Sequence, residues 1–232
     1  MTAAPFAGLV ADGLALVRGE RRLFSGLGFV LAAGELLLLH GPNGSGKSSL
    51  LRALLGLTPL AAGTLRLGAD APPLPPRALC RTALYQSHAA AAKAELTAAE
   101  NLELAAALDG TLPTRAAPSA IDAALRALGL ARQRDLETRR LSQGQRQRLQ
   151  LARFELALAA GGRPLWLMDE PSAALDAQGG ALLEGLLARH LARGGAALIA
   201  THLPIAPPGA SARTLRVDDH RPGRDAPAPG LR

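Results

Sequence analysis

The stretch Gly41, Pro42, Asn43, Gly44, Ser45, Gly46, Lys47, Ser48, with Ser49 after it, has the pattern G-x-x-x-x-G-K-S. It lies between an apolar run, "ELLLLHG", and a segment of helical spacing, "GKSSLLRALLGL". Glycines in that pattern let successive backbone N–H groups turn inward around phosphate oxygens, and the N-terminus of the following helix adds a favourable dipole. Lys47 then reaches the β- and γ-phosphates of a nucleoside triphosphate, and Ser48 gives a hydroxyl to Mg2+. A second stretch, "RPLWLMDEPSAALD", carries four apolar residues, Leu165 to Met168, into Asp169 and Glu170. A buried strand ending in two carboxylates presents them at the edge where α/β sheets bind ligands. Asp169 is placed to steady the Mg2+ from behind its direct ligands, and Glu170 to polarise the attacking water. Between the two lies "LSQGQRQRLQLARFELAL", where Ser142 and Gly144 open an amphipathic helix. That opening reads either as an ordinary helix cap or as a second phosphate-binding device, of which one γ-phosphate needs no more than one per chain.

These residues require a parallel sheet behind them. "GLALV", "LGFVLAAGE" and "ELLLLHG" read as strands joined by tight turns, so the chain begins β-rich. From Gly46 onward, strand candidates "TALYQ", "PLWLMD" and "AALIATH" alternate with Ala/Leu helices, which is the pattern of a parallel α/β sheet. "DAPPLPPR" is a loop, because prolines remove donors and push the preceding residues out of the helical region. From about Ala98 to Gly129 the chain reads as two or three helices without a strand, the start of a helical subdomain spanning about 98–160. After His202, "LPIAPPGAS" breaks regular structure, "RTLRV" reads as one short strand, and residues 218–232 are expected to form a disordered tail.

Composition narrows the class of partner. The chain has 232 residues, 48% of them hydrophobic, enough for one domain with a subdomain. It shows no leader pattern and no apolar run long enough to span a bilayer, so a cytosolic location is expected. The lone Cys80 has neither a disulfide partner nor zinc-site spacing and reads as a small buried residue. A net charge of +7 invites a polyanion, yet aromatics make up only 3%, leaving few rings on which bases could stack; nucleic acid is not expected as a partner. All 26 cationic side chains are Arg except Lys47 and Lys93. A compact ammonium is thus kept at only two places, and phosphate chemistry accounts for just the first.

Phosphate loop, "LSQGQ", "LWLMDE", "SAALD" and "ATH", in this order and spacing, resemble the nucleotide-binding subunits of ATP-binding-cassette (ABC) transporters over about residues 8–217. The resemblance implies a P-loop fold with an N-terminal antiparallel β subdomain, a parallel-sheet core and a helical subdomain. It also implies ATP and Mg2+ as ligands and a head-to-tail homodimer, in which Leu141, Ser142, Gln143, Gly144 and Gln145 of one protomer cap the ATP held by Lys47 of the other. Asp176 then belongs to the dimer-contact loop, and His202 touches the γ-phosphate. The family signature is LSGGQ; Gln143 replaces one glycine here and leaves Ser142 and Gly144 in place. Where the family stacks adenine on an aromatic ring, this chain has "VRGERRLF", so Arg18 is expected to stack its guanidinium instead. Gln86 fits the glutamine that reaches for Mg2+ and touches the membrane subunit, with His88 a competing candidate.

"SH", a short spacer, Lys93 and "LTAAENL", with "RGERRLFSGLGFVLAAGE" and "PLWLMDEPSAALDAQG", are similar to the cytochrome c biogenesis ATP-binding export proteins, the haem exporter ATPases. That branch implies integral-membrane permease subunits of a cytochrome c maturation complex as partners and a haem-handling chaperone as an indirect one. It implies a peripheral position on the cytoplasmic face of the inner membrane, and it puts Lys93 in the region facing the membrane subunit. The alternatives are the ATPase of another small-substrate exporter and, from a different class, a soluble ABC ATPase without a permease.

Overall fold

A computed structural model describes residues 6–88, 92–110 and 118–221. Two sheets form the frame. In the first, strand β1 (Leu9–Arg18) turns at Gly19, whose φ is 60°, into β2 (Arg21–Leu31), and β4 (Ala62–Leu67) lies antiparallel along the other side of β1. Both hairpin strands run beyond their apolar stretches, because backbone pairing continues to Arg18 opposite Arg21. The second sheet is parallel throughout, in the order β5 (Ala83–Gln86), β6 (Leu165–Asp169), β7 (Ala196–Ala200), β3 (Leu36–His40), β8 (Ala212–Arg216).

Its central strands are continuous apolar runs because both faces are buried. Leu37, Leu39, Leu165 and Leu167 enter one core with β1, β2 and helix α1 (Lys47–Leu54). Leu36, Leu38, Trp166 and Met168 enter a second core with α2 (Ala98–Asp109), α3 (Pro118–Ala127), α4 (Gln143–Ala159) and α5 (Ala177–Ala192). Helix starts are written locally. Thr97 and Glu100 form a reciprocal capping box on α2, Ser142 and Gln145 another on α4, and Asp176 caps α5 through the Gly179 amide.

Two expectations need correction. Strand β4 was not anticipated: it is an edge strand whose first half is exposed, and its apolar alternation is only two residues long, Leu65 and Leu67. The boundary at 217 cuts a short 3-10 turn, Val217–His220, whose Val217 is fully buried beneath β2. The proposed tail lies outside the described residues from 222 onward. Among the described residues, no helix is long and apolar enough to cross a membrane.

Candidate nucleotide site

The phosphate loop joins β3 to α1. Gly41, Gly44 and Gly46 adopt φ values of 144°, 75° and 107°, a region open to glycine and costly for other residues. Gly41 could hold no side chain, since a Cβ there would come within 2.8 Å of Ser45 Oγ. Gly46 precedes α1 without any side-chain cap, so the first amides of that helix point into the loop. Lys47 Nζ donates to the carbonyls of Gly41 at 2.7 Å and Pro42 at 3.4 Å, which folds the ammonium over the loop.

The phosphate loop and the Asp169–Glu170 strand end meet at one bond. Ser48 Oγ donates to Asp169 Oδ1 at 2.9 Å across 121 residues of chain. Asp169 is buried, and desolvation raises its pKa, opposed by the Ser48 bond and by the charges of His88 and Arg52. A cation beside it relieves that cost. Glu170 follows with φ 53°, and its amide is held by Ala200 O at 2.8 Å. A left-handed backbone at a residue with a Cβ costs about 1–2 kcal/mol and persists only where neighbours hold it. His202 Nδ1 lies 2.9 Å from Glu170 Oε2, off hydrogen-bond alignment, so that buried oxygen has no hydrogen-bond partner. Gln86, buried at the end of β5, likewise has an unpartnered Oε1. A hydroxyl, a buried carboxylate and unpartnered oxygens fit Mg2+, which takes few protein ligands and completes its shell with phosphate and water.

Asn43, Gly44, Ser45, Gly46, Lys47, Ser48 and Ser49 line one cleft of about 450 Å³ with Arg18, Asp169, Glu170 and His202. His88, Arg52 and Ala173 complete it. Gly41 and Pro42 stand behind, accepting from Lys47. Of the two candidates after β5, His88 lines the cleft, whereas Gln86 does not line it. Arg18, Ser49 and Arg52 are shared with an adjoining hollow closed by Leu16, Leu23 and Thr58, a mix of apolar and guanidinium surface. Arg52 was not foreseen; it sits in the last turn of α1, five residues beyond Lys47, where no motif marks it.

Leu141, Ser142, Gln143, Gly144 and Gln145 do not line this cleft. Within one chain the capping box occupies Ser142 Oγ, which accepts from Gln145 N at 3.2 Å. Asp176 pairs with Arg148 through both oxygens at 2.9 Å, and the Gly179 amide and Arg148 hold its carboxyl below the usual range.

A family model described as "ABC transporter" matches residues 24–173. The chain belongs to the ABC transporter family. The cytochrome c biogenesis ATP-binding export protein CcmA of Paramagnetospirillum magneticum is 45% identical over 217 residues, covering 94% of this chain and 97% of its own length. The CcmA of Dechloromonas aromatica is 46% identical over 210 residues, covering 90% and 99%. Within the ABC family, the chain therefore belongs with the CcmA proteins, as the sequence resemblance implied. The fold agrees with that of a solved putative ABC transporter ATP-binding protein from Pyrococcus furiosus, with a TM-score of 0.76 at 17% identity over 93% of this chain and all of the other. ABC membership implies nucleotide binding.

Proposed function

We propose that this chain is the ATP-hydrolysing subunit of a membrane transporter complex whose export step serves cytochrome c biogenesis by moving haem or by releasing a haem-loaded chaperone. The observation that carries the reading is the Ser48–Asp169 bond, which joins a phosphate loop to a carboxylate-bearing strand beside Glu170 and His202. The loop amides, Lys47 and Ser49 bind the triphosphate, and Arg18 lies against the base. Ser48 would hold Mg2+ with Asp169 steadying it from behind, and Gln86, buried at the end of β5 beside the cleft, would complete the set; the ion would offset charge on the β- and γ-phosphate oxygens. Glu170 accepts the proton of the attacking water, and His202 orients the γ-phosphate. Leu141 to Gln145 act on the ATP of a second, head-to-tail protomer, and Asp176 lies in the contact between the two.

The membrane subunits have a place to dock. A groove of about 210 Å³ beside α2 is lined by Lys93, Leu104, Leu108 and Arg153, with Leu104 and Leu108 37% and 79% exposed. Asn101 fixes its rim by accepting from Lys93 N at 2.7 Å and donating to Lys93 O at 2.9 Å. Attachment to the cytoplasmic face of the inner membrane then runs through those subunits. The test is complementation in a strain lacking its own haem-export ATPase, with co-purification of the cytochrome c maturation membrane subunits. The chain is expected to restore c-type cytochromes and to bring those subunits down. Restoration by a Lys47→Ala chain, or a complex formed only with unrelated permeases, contradicts the reading.

A further inference from the structure

Gly144, Gln147 and Arg148 lie at i, i+3 and i+4 on one face of α4. That face is applied along its length to the loop from Glu170 to Asp176. Gln147 Nε2 donates to Pro171 O at 2.7 Å and reaches Glu170 O at 3.5 Å. Gly144 comes so near that a Cβ there would lie 2.9 Å from Ala174 O, and Arg148 takes both oxygens of Asp176. Glu170 and Ala174 are the two residues of this loop with positive φ, at 53° and 61°, so the grip coincides with the backbone that most needs holding.

The Glu170 carboxylate has little to aim it. Its Oε2 is buried without a hydrogen-bond partner, and its near neighbour, His202, is 63% exposed. With one exposed neighbour, His202 Nδ1 at 2.9 Å, the side chain takes much of its direction from the backbone. On the amide side, β7 holds that backbone through Ala200 O at 2.8 Å; on the carbonyl side, Ala173 N donates to Glu170 O at 3.1 Å within the turn, and Gln147 adds a second donor at 3.5 Å and holds the next carbonyl, Pro171 O, at 2.7 Å. Pro171 has no N–H to donate, and its own carbonyl is held from outside the turn, by Gln147. The nearby Gln145 is engaged differently, accepting from Ser142 N at 2.9 Å, so the two glutamines of this turn are not equivalent.

We propose that Gln147 is a positioning residue for Glu170 of its own chain, fixing through the Glu170 and Pro171 carbonyls the direction in which the carboxylate meets water. The proposal rests on the reading of Glu170 as the proton acceptor. Because Ser142 caps α4, one helix then carries at its start both the group that addresses a partner's nucleotide and the group that aims the chain's own carboxylate.

The test is a double-mutant cycle on single-turnover ATP hydrolysis by the full chain in its complex, with the KM for ATP measured beside it. Gln147→Ala is expected to lower the rate about ten- to a hundredfold while leaving KM within about twofold, since a misaimed group costs rate and not binding. In a Glu170→Gln background the same substitution is expected to change the rate by less than about twofold, because there is no carboxylate left to aim. Gln147→Glu, which keeps the length and exchanges the donor for an acceptor, is expected to lose at least as much as Gln147→Ala. If Glu170→Gln turns over normally, the reading of Glu170 falls and the proposal with it. If Glu170→Gln is slow but Gln147→Ala or Gln147→Glu is normal, or if the two losses multiply in the double variant, the proposal alone falls and Gln147 merely pairs a carbonyl.

Discussion

The two ends of strand β6 treat their polar groups in opposite ways. At its N-terminal end Arg163 donates to the carbonyls of Cys80, Ala83 and Asp109. Beside it the His190 ring stacks on Trp166 with centroids 3.6 Å apart and planes 7° apart, and its Nε2 donates to Ala196 O at 3.2 Å. Phe154 meets the same Trp166 edge-on at 5.0 Å. Gly195 leaves the room for this stack, since a Cβ there would collide with the imidazole at 2.2 Å. At the C-terminal end, six residues beyond Arg163, Asp169 is buried at the cost of a raised pKa, while Gln86 Oε1 and Glu170 Oε2 have no hydrogen-bond partners and Glu170 has a strained backbone. Satisfied polar groups at one end hold the fold; under the proposed function, the unsatisfied ones at the other meet a ligand. Changes at the first end should cost stability and spare turnover, and changes at the second should do the reverse.

The largest stability effect is expected from Arg163→Ala, which strips donors from carbonyls of three separate segments. At roughly 1–3 kcal/mol for each buried group left unpaired, a loss of about 3 kcal/mol in urea unfolding is expected, with ATP turnover per folded molecule within about twofold of wild type. An Arg163→Ala chain of normal stability and poor turnover breaks the division between the two ends.

Acid sharpens it. Burial lowers the His190 pKa from 6.5 to about 4. The unfolded chain therefore takes up a proton between about pH 6.5 and 4 that the folded chain refuses, so stability is full above that window and falls as pH drops through it. The expected loss at pH 5 is about 2 kcal/mol. His190→Phe, which keeps a ring on Trp166, should flatten this part of the stability profile between pH 7 and 5; an unchanged slope contradicts the assignment.

The smallest effect belongs to Lys93, at the groove and away from both ends of β6. Its backbone is clamped by Asn101 while its side chain is exposed, so Lys93→Ala should leave ATP binding by the isolated subunit intact. A cation at the rim of an interface contributes about 0.2–1 kcal/mol, and the expected result is a modest loss of membrane-subunit recovery in pull-downs. Lys93→Arg should restore it fully if any cation serves and partly if the contact is tight. Wild-type recovery and cytochrome c maturation by Lys93→Ala makes it solvated surface.

How legible this was depended on whether the cause was local. The phosphate loop and the Asp169–Glu170 strand end could be read because a few adjacent residues dictate each: glycines before a helix, and an apolar run before carboxylates. Helix starts at Thr97, Ser142 and Asp176 are equally local. Strand β4 could not be read, since an exposed edge strand owes its place to pairing with β1 and not to its own pattern. Gln147 and Arg148 were passed over within a stretch already singled out. Their partners, Pro171 and Asp176, lie 24 and 28 residues away, and the only trace in the sequence is their helical spacing from Gly144. The Trp166–His190 stack was invisible for the same reason. Gln86 against His88 stayed open because the two differ by a strand end: the last residue of β5 is buried, and two residues on the chain has turned into the cleft.

The central claim, that the C-terminal end of β6 is a site of ATP hydrolysis, is tested most directly by Glu170→Gln. The substitution keeps shape and hydrogen-bonding length and removes the proton acceptor. The account predicts that the purified complex binds ATP as wild type does, hydrolyses it at least about a hundredfold more slowly, and accumulates ATP-bound dimers. Turnover near that of wild type contradicts it.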